Sequence, residues 1–295
     1  MRTGKYSMKR IGIVGAGTMG IGVAQLFAEN EYDVVLVDIA DDILDRARRE
    51  IARNVRLAPL VRPGVKRISL SELDDRINFT KSIAELSDVD YVVENVTEDW
   101  PTKRRLYEQL DSVCRADAIL GVNTSAILIT RVASVTGRAP LVVGVHFMNP
   151  APLKPTVEVI RGVHTSQETI EQTRALLATA GKSCIVVEDS PGFVTNRVLM
   201  ITINEAIFLL WERVASVQQI DRLFKECFGH SMGPLETADL IGLDTVLLSL
   251  EVLYDELNDP KYRPCPLLRK MVYAGRTGKK SGQGFRPYET STTQN

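Results

Sequence analysis

An apolar run ending at Val14 leads directly into Gly15-Ala16-Gly17-Thr18-Met19-Gly20, and no other stretch of the chain constrains the fold as strongly. A G-x-G-x-x-G pattern carries meaning only between a strand and a helix. Here residues 11–14 read as a buried strand and residues 19–29 as a helix. The glycines allow a tight turn, close approach of backbone N–H groups to a pyrophosphate, and close packing of helix on strand. A second β-branched run, 34–38, ends in Asp38 at about the 20-residue distance where a carboxylate accepts hydrogen bonds from an adenosine ribose and repels a 2′-phosphate. Ile39 and Ala40 follow it, where an arginine would favour the phosphorylated cofactor. The pattern predicts that residues 15–20 and Asp38 bind NAD rather than NADP.

The first half of the chain continues in the same alternation. Residues 91–94, 118–123 and 141–146 read as buried strands, with helices over 41–56 and 103–113 between the earlier ones. Strand, helix and strand in succession give a parallel, doubly wound sheet. A strand over 156–160, a helix over 166–180 closed by Gly181, and a strand over 184–188 complete it. From Ser190-Pro191, read as an N-cap and first-turn pair, the pattern is helical over 193–213, 216–228, 237–257 and 266–273. The predicted architecture is α/β: a Rossmann-type, mainly parallel sheet over 1–189, then an all-α domain over 190–295. The helices over 193–211 and 237–257 are more apolar than a small bundle can cover, which predicts a homodimer.

Composition removes several function classes. Lys and Arg number 36 against 37 Asp and Glu, a net charge of −1, which is not the electrostatic footprint of a nucleic-acid binder. The four cysteines are scattered without a C-x-x-C, so neither a metal site nor a disulfide framework is expected, and a reducing, cytoplasmic setting fits. The basic start and the apolar stretch after it mimic a secretory signal, but the glycine spacing and the strand that follows assign them to the nucleotide fold. No apolar run approaches the ~20 residues that span a bilayer, so a membrane location is not expected.

Ligands of a doubly wound sheet bind beyond the carboxyl ends of its strands. Those ends carry Glu94 to Glu98, Asn123-Thr124-Ser125 and His146 to Asn149. His164 and His230 fall in turns, whereas His146 closes an apolar strand. Hydride transfer from an alcohol needs a base for the hydroxyl proton, and an imidazole beside a carboxylate suits that task. Glu158, between Val157 and Val159, is the candidate carboxylate, because an acid inside an apolar strand is costly without a partner. Ser125 and Asn196 are candidates for holding the reacting oxygen. Structural roles for His146, Glu158 and Asn196 remain open at this level.

The residues then match a family. The chain resembles the L-3-hydroxyacyl-CoA dehydrogenases through Ile13-Val-Gly-Ala-Gly-Thr-Met-Gly20, Asn123-Thr-Ser125, His146-Phe-Met-Asn-Pro150, Val157-Glu-Val-Ile160, Asp189-Ser-Pro-Gly-Phe-Val-Thr-Asn-Arg197, Gly229-His-Ser-Met-Gly-Pro-Leu-Glu236 and Lys280-Ser-Gly-Gln-Gly-Phe285. These cover essentially the whole chain in the family's order. The resemblance implies that His146 is the general base, that Glu158 orients it, and that Ser125 and Asn196 hold substrate oxygens. It also implies cofactor contacts at Glu98, Lys103, Asn149 and Lys280, and an acyl-CoA or acyl-carrier-protein thioester as substrate.

The segment after Asp38 departs from that family. Its CoA-contacting serine and lysine fall, by spacing, on Asn54 and Val61, and Pro59, Pro63 and Gly64 are expected to interrupt the long helix. Arg46, Arg48, Arg49, Arg53, Arg56, Arg62, Lys66 and Arg67 crowd the same segment, opposed only by Glu50. Such a run is either a solvated face or a docking surface for an acidic carrier protein. Variants at Asn95-Val-Thr-Glu98 and Pro152-Leu-Lys-Pro-Thr156 resemble the subgroup that makes hydroxymalonyl or methoxymalonyl extender units on carrier protein in polyketide pathways. A free sugar-acid dehydrogenase and a non-catalytic NAD-binding structural protein are the competing readings.

Overall fold

The computed structural model describes residues 8–61 and 68–289. The chain divides into two compact units between Ser190 and Pro191. The first holds eight strands: β1 (Arg10–Val14), β2 (Asp33–Val37), β3 (Ile77–Thr80), β4 (Tyr91–Glu94), β5 (Ile119–Val122), β6 (Val142–His146), β7 (Thr156–Arg161) and β8 (Ser183–Glu188). They form one sheet in the order β3-β2-β1-β4-β5-β6-β7-β8. Neighbours from β3 through to β6 are parallel. The β6–β7 pair is antiparallel, and β7 and β8 are parallel to each other.

Helices α1 (Thr18–Glu29), α2 (Asp41–Val61), α3 (Leu70–Arg76), α4 (Trp100–Val113), α5 (Ile129–Ala133) and α6 (Gln167–Thr179) belong to this unit. Its core joins strand residues such as Ile11, Ile13, Leu36, Tyr91 and Val145 to Phe27, Ile51 and Leu177 from the helices. Several helix starts are fixed by side chains. Asp99 caps α4 by accepting from the Thr102 N–H at 2.9 Å, and Ser166 caps α6 by accepting from the Thr169 N–H at 3.1 Å.

Helices α3 and α5 and strand β3 are absent from the sequence-based expectation. Ser69 and Glu72 form a capping box that starts α3. β3 follows as a four-residue strand with only Ile77 buried, too short and too polar to announce itself. Conversely, α2 runs through Pro59 to Val61 rather than stopping before it. Proline removes one bond, to the carbonyl four residues back, and the loss falls in the last turn, beyond a buried stripe of Leu44, Ala47, Ile51 and Val55. Arg62, Pro63, Gly64, Lys66 and Arg67 lie outside the described residues.

The second unit consists of α7 (Thr195–Trp211), α8 (Val217–Phe228), α9 (Pro234–Ile241), α10 (Leu243–Leu257) and α11 (Pro266–Tyr273). Ile203 and Ile207 of α7, Leu235 of α9, Leu250 of α10 and Leu268 of α11 meet in its core. Two expectations need correction here. Ser190-Pro191 does not open the helix, because Gly192 and Phe193 both turn through the left-handed region at φ 71° and 50°. The helix begins at Thr195, and Asn196 stands in its first turn, not its second. The expected helix over 237–257 is broken at Gly242, whose φ of 103° separates α9 from α10. Buried Asp239 ties the chain's last described segment to α9, accepting from the Phe285 and Arg286 N–H groups at 2.9 and 3.1 Å and from the Tyr288 hydroxyl at 3.0 Å.

Candidate active site

The sheet order reverses between β1 and β4, and the glycine turn sits at that point. Gly15 has φ 94°, and a Cβ there would lie 2.8 Å from the Asn95 carbonyl oxygen. At Gly20 a Cβ would be only 1.8 Å from the Gly15 carbonyl oxygen, so the turn and α1 can pack only with glycine at that position. Gly17 is different: nothing stands within 4 Å of where its Cβ would be. It is the N-cap of α1, whose first turn carries no acidic side chain, beside exposed Thr18 and half-buried Met19. An open, helix-starting backbone of this kind suits a pyrophosphate. Asp38 holds the turn, one carboxylate oxygen accepting from the Ala16 N–H at 2.6 Å and the other from the Ile39 N–H at 2.7 Å. Each oxygen keeps a lone pair for a ribose hydroxyl. These residues fit NAD.

Further along the same sheet edge, His146 and Glu158 are opposite each other in the antiparallel register of β6 and β7. Directly opposed residues of an antiparallel pair point to the same face, so the register alone brings the two side chains together. His146 Nδ1 stands 3.0 Å from Glu158 Oε2, and both residues are buried. A carboxylate only accepts, so Nδ1 donates and the lone pair falls on Nε2. That nitrogen lies 3.2 Å from Ser125 Oγ. An imidazole so held can take a proton at Nε2, with the positive charge stabilised from behind.

Asparagine amides link the neighbouring strand ends. Asn123 Nδ2 donates to Asn95 Oδ1 at 2.6 Å, and Asn123 Oδ1 accepts from the Phe147 N–H at 3.1 Å. Glu98 organises the turn after β5. Its Oε1 accepts from the Thr124 hydroxyl and from the Ser125 and Ala126 N–H groups, the latter two at 3.1 Å. Glu98 was legible as a strand-end acid, but its hold on Thr124 was not, because no local spacing connects residues 26 apart.

Lys103, on α4, is one of the few buried charged residues of this unit. It is fully enclosed, donating to both oxygens of Glu94 at 2.7 and 2.8 Å and lying 3.6 Å from Glu98 Oε2. Glu94 also accepts from the Val96 N–H at 2.7 Å and the Tyr107 hydroxyl at 3.2 Å. Burial pushes the Glu94 carboxyl up, and the charge and hydrogen bonds of Lys103 oppose it. Burial, then the Glu94 charge, holds the Tyr107 phenol well above its ordinary range. Asn149 is exposed.

In the second unit, Asn196 is half-buried near the start of α7. Lys280 donates to Asp244 Oδ2 at 2.6 Å, with both side chains partly exposed. Among the described residues no cluster of His, Cys, Asp and Glu is placed to hold a metal ion, and no helix is long and apolar enough to cross a membrane.

Residues 10–190 match the 3-hydroxyacyl-CoA dehydrogenase NAD binding domain, and residues 192–288 match the 3-hydroxyacyl-CoA dehydrogenase C-terminal domain. A probable 3-hydroxybutyryl-CoA dehydrogenase of Bacillus subtilis is 43% identical over 290 residues, covering 97% of this chain and 99% of the relative. The human mitochondrial hydroxyacyl-coenzyme A dehydrogenase is 34% identical over 292 residues, 97% of this chain and 93% of the relative. The crystal structure of (S)-3-hydroxybutyryl-CoA dehydrogenase from Ralstonia eutropha superposes with a TM-score of 0.89 at 42% identity, covering 96% of this chain and all of that one. With the nucleotide turn, the strand-end site and both domains accounted for, the chain belongs to the 3-hydroxyacyl-CoA dehydrogenase family of NAD-dependent oxidoreductases.

Proposed function

We propose that this enzyme oxidises the C3 hydroxyl of a short L-3-hydroxyacyl thioester to the 3-oxoacyl thioester, and runs the reduction in reverse. The observation that carries the reading is the line Ser125 Oγ, His146 Nε2, His146 Nδ1, Glu158 Oε2, with successive contacts of 3.2 and 3.0 Å. Residues 15–20 and Asp38 would hold NAD⁺, whose nicotinamide would supply the acceptor for the C3 hydride. His146 Nε2 takes the hydroxyl proton as the C3–H bond breaks, the O–H pair becomes the carbonyl π bond, and Glu158 stabilises the imidazolium until the proton leaves to water. Ser125 and Asn196 hold the substrate oxygens. Glu98, Asn149 and Lys280 serve the cofactor. The relatives named 3-hydroxybutyryl-CoA dehydrogenase favour a four-carbon CoA thioester. Formation of NADH from NAD⁺ and (S)-3-hydroxybutyryl-CoA is expected. Equal turnover of a free hydroxy acid would favour the sugar-acid reading, and no NADH from any hydroxyacyl substrate would remove the proposal.

A carrier-protein thioester is the second reading, and α2 favours it. Arg46, Arg49, Arg53 and Arg56 recur at helical spacing on one exposed face, ending in exposed Leu57 and Leu60. None of the four arginines has an ion-pair partner among the described residues, whereas Arg48 pairs with Asp74 at 3.1 Å and stacks over Phe79. An acidic carrier presents the same thioester on its phosphopantetheine arm and complements that face. In an extender-unit pathway the acyl group would be a glyceryl or similar hydroxyacyl unit. Matched CoA and carrier-protein thioesters decide it. Reversing the arginines to glutamate is expected to lower kcat/KM on the carrier substrate alone, and a strong CoA preference in the unmodified enzyme removes this reading. The enzyme is further proposed to act as a homodimer in the cytoplasm.

A further inference from the structure

The chain between β6 and β7 coils once just after Asn149. The Leu153 and Lys154 N–H groups both donate to the Pro150 carbonyl, at 3.0 and 3.2 Å. Lys182 reaches this turn from one side. Its side chain is buried, and its ammonium donates to the Pro152 carbonyl at 3.0 Å and to the Lys154 carbonyl at 2.7 Å. The backbone that carries it is fixed on both sides. Lys182 follows Gly181, at φ 70°, and its N–H closes α6 on the Leu177 carbonyl at 2.8 Å, while the Ser183 N–H donates to the Pro155 carbonyl at 2.9 Å. Burying an ammonium is costly, and charge-assisted bonds to two carbonyls offset that cost only while the turn stays in place.

The other side of the turn meets α1. Gly22 faces it: a Cβ there would lie 3.4 Å from Pro152 Cδ and 3.5 Å from the Cβ of buried Ala151. The nucleotide pattern accounts for glycine at 15, 17 and 20 but not at 22, and glycine weakens a helix interior relative to alanine. The space it leaves is taken by Ala151 and Pro152. The helix that begins at the glycine turn therefore packs directly on the residues that follow Asn149.

We propose that Lys182 and Gly22 are positioning residues, which clamp the 150–154 turn against α1 and so fix Asn149, and with it the nicotinamide end of the cofactor, relative to the glycine turn that receives the pyrophosphate. The proposal rests on the cofactor role proposed for Asn149. A released turn leaves the glycine turn and Asp38 intact, so the loss belongs to the nicotinamide half of the cofactor and to the alignment of its reacting carbon.

The test is a pair of titrations on the full-length enzyme, one with NADH and one with ADP-ribose, which has the adenosine and pyrophosphate but no nicotinamide. With folding confirmed by a cooperative melt, K182M is expected to raise the NADH dissociation constant about 5- to 20-fold and to lower kcat, while that of ADP-ribose stays within about twofold. Gly22→Val pushes a methyl into Ala151 and Pro152 from the opposite side and should give the same split. Gly22→Ala only reaches ordinary contact, so it should bind both ligands as the unmodified enzyme does. Unchanged NADH affinity in K182M, or ADP-ribose weakening in step with NADH, would overturn the proposal. Should K182M fail to fold, G22V carries the test alone with the same two readings. N149A separates the two layers of argument. Unchanged NADH affinity there removes the cofactor role of Asn149 itself, whereas weakened NADH in N149A beside unaffected K182M and G22V defeats the clamp alone.

Discussion

His146 and Glu158 sit at opposite ends of one hydrogen bond, yet their removal should read out differently. A glutamine at 146 keeps a polar side chain of similar reach but offers no nitrogen lone pair. H146Q is therefore expected to lose about 10²- to 10⁴-fold in kcat, with NADH affinity unchanged in a fluorescence titration, since the nucleotide turn lies on other strands. E158Q leaves the imidazole in place and withdraws only the charge behind it, so its loss in kcat should be the smaller of the two. A larger loss for E158Q than for H146Q would assign the base to Glu158. Lys103 and Glu94 make the complementary case for burial. Breaking that pair from one side, as in K103M alone, strands the Glu94 carboxylate, and about 3–5 kcal/mol of stability should be lost in a denaturant melt. The neutral double substitution E94Q/K103M should recover most of it.

At the scale of elements, the glycine turn offers a controlled comparison. Gly17→Ala places a methyl in open space, so the melt should shift by no more than about 0.5 kcal/mol while the pyrophosphate approach is obstructed and NADH binding weakens. Gly20→Ala drives a Cβ to 1.8 Å from the Gly15 carbonyl oxygen, and both stability and binding should fall. Equal stability losses at the two positions would contradict the geometry. These glycines were readable because strand, turn, helix and acid follow one another along the chain. Local patterning also marked seven of the eight strands and placed the starts of the helices at Ser166 and Ser216, which the structure shows to be their N-caps. It missed β3, where one buried residue in four leaves no pattern. It ran α9 and α10 together, because apolar periodicity continues through Gly242 while the backbone does not. The His146–Glu158 pair was half legible. An acid between two valines announces that it needs a partner, but only the register of β6 and β7 says which one.

The whole molecule carries a consequence that neither residues nor single elements supply. α7 buries Met200, Ile203 and Ile207 inward, and α10 buries Val246, Leu250 and Leu253, so each helix already has a satisfied apolar face. Each also turns apolar side chains outward: Val198 is 61% exposed and Leu248 49%, with Leu240 and Trp211 exposed on α9 and α7. Exposed apolar side chains on helices whose inner faces are already buried are candidates for an interface between copies. Association of two copies through a twofold axis would cover such a surface with itself, and any charge placed on it would appear twice in the interface. Light scattering at micromolar concentration is therefore expected to give twice the mass of the chain, and V198E/L248E to shift that mass toward one chain while leaving the melt of the NAD-binding unit in place. A wild-type mass of one chain would defeat the expectation outright. A dimer untouched by the double substitution would move the interface away from α7 and α10.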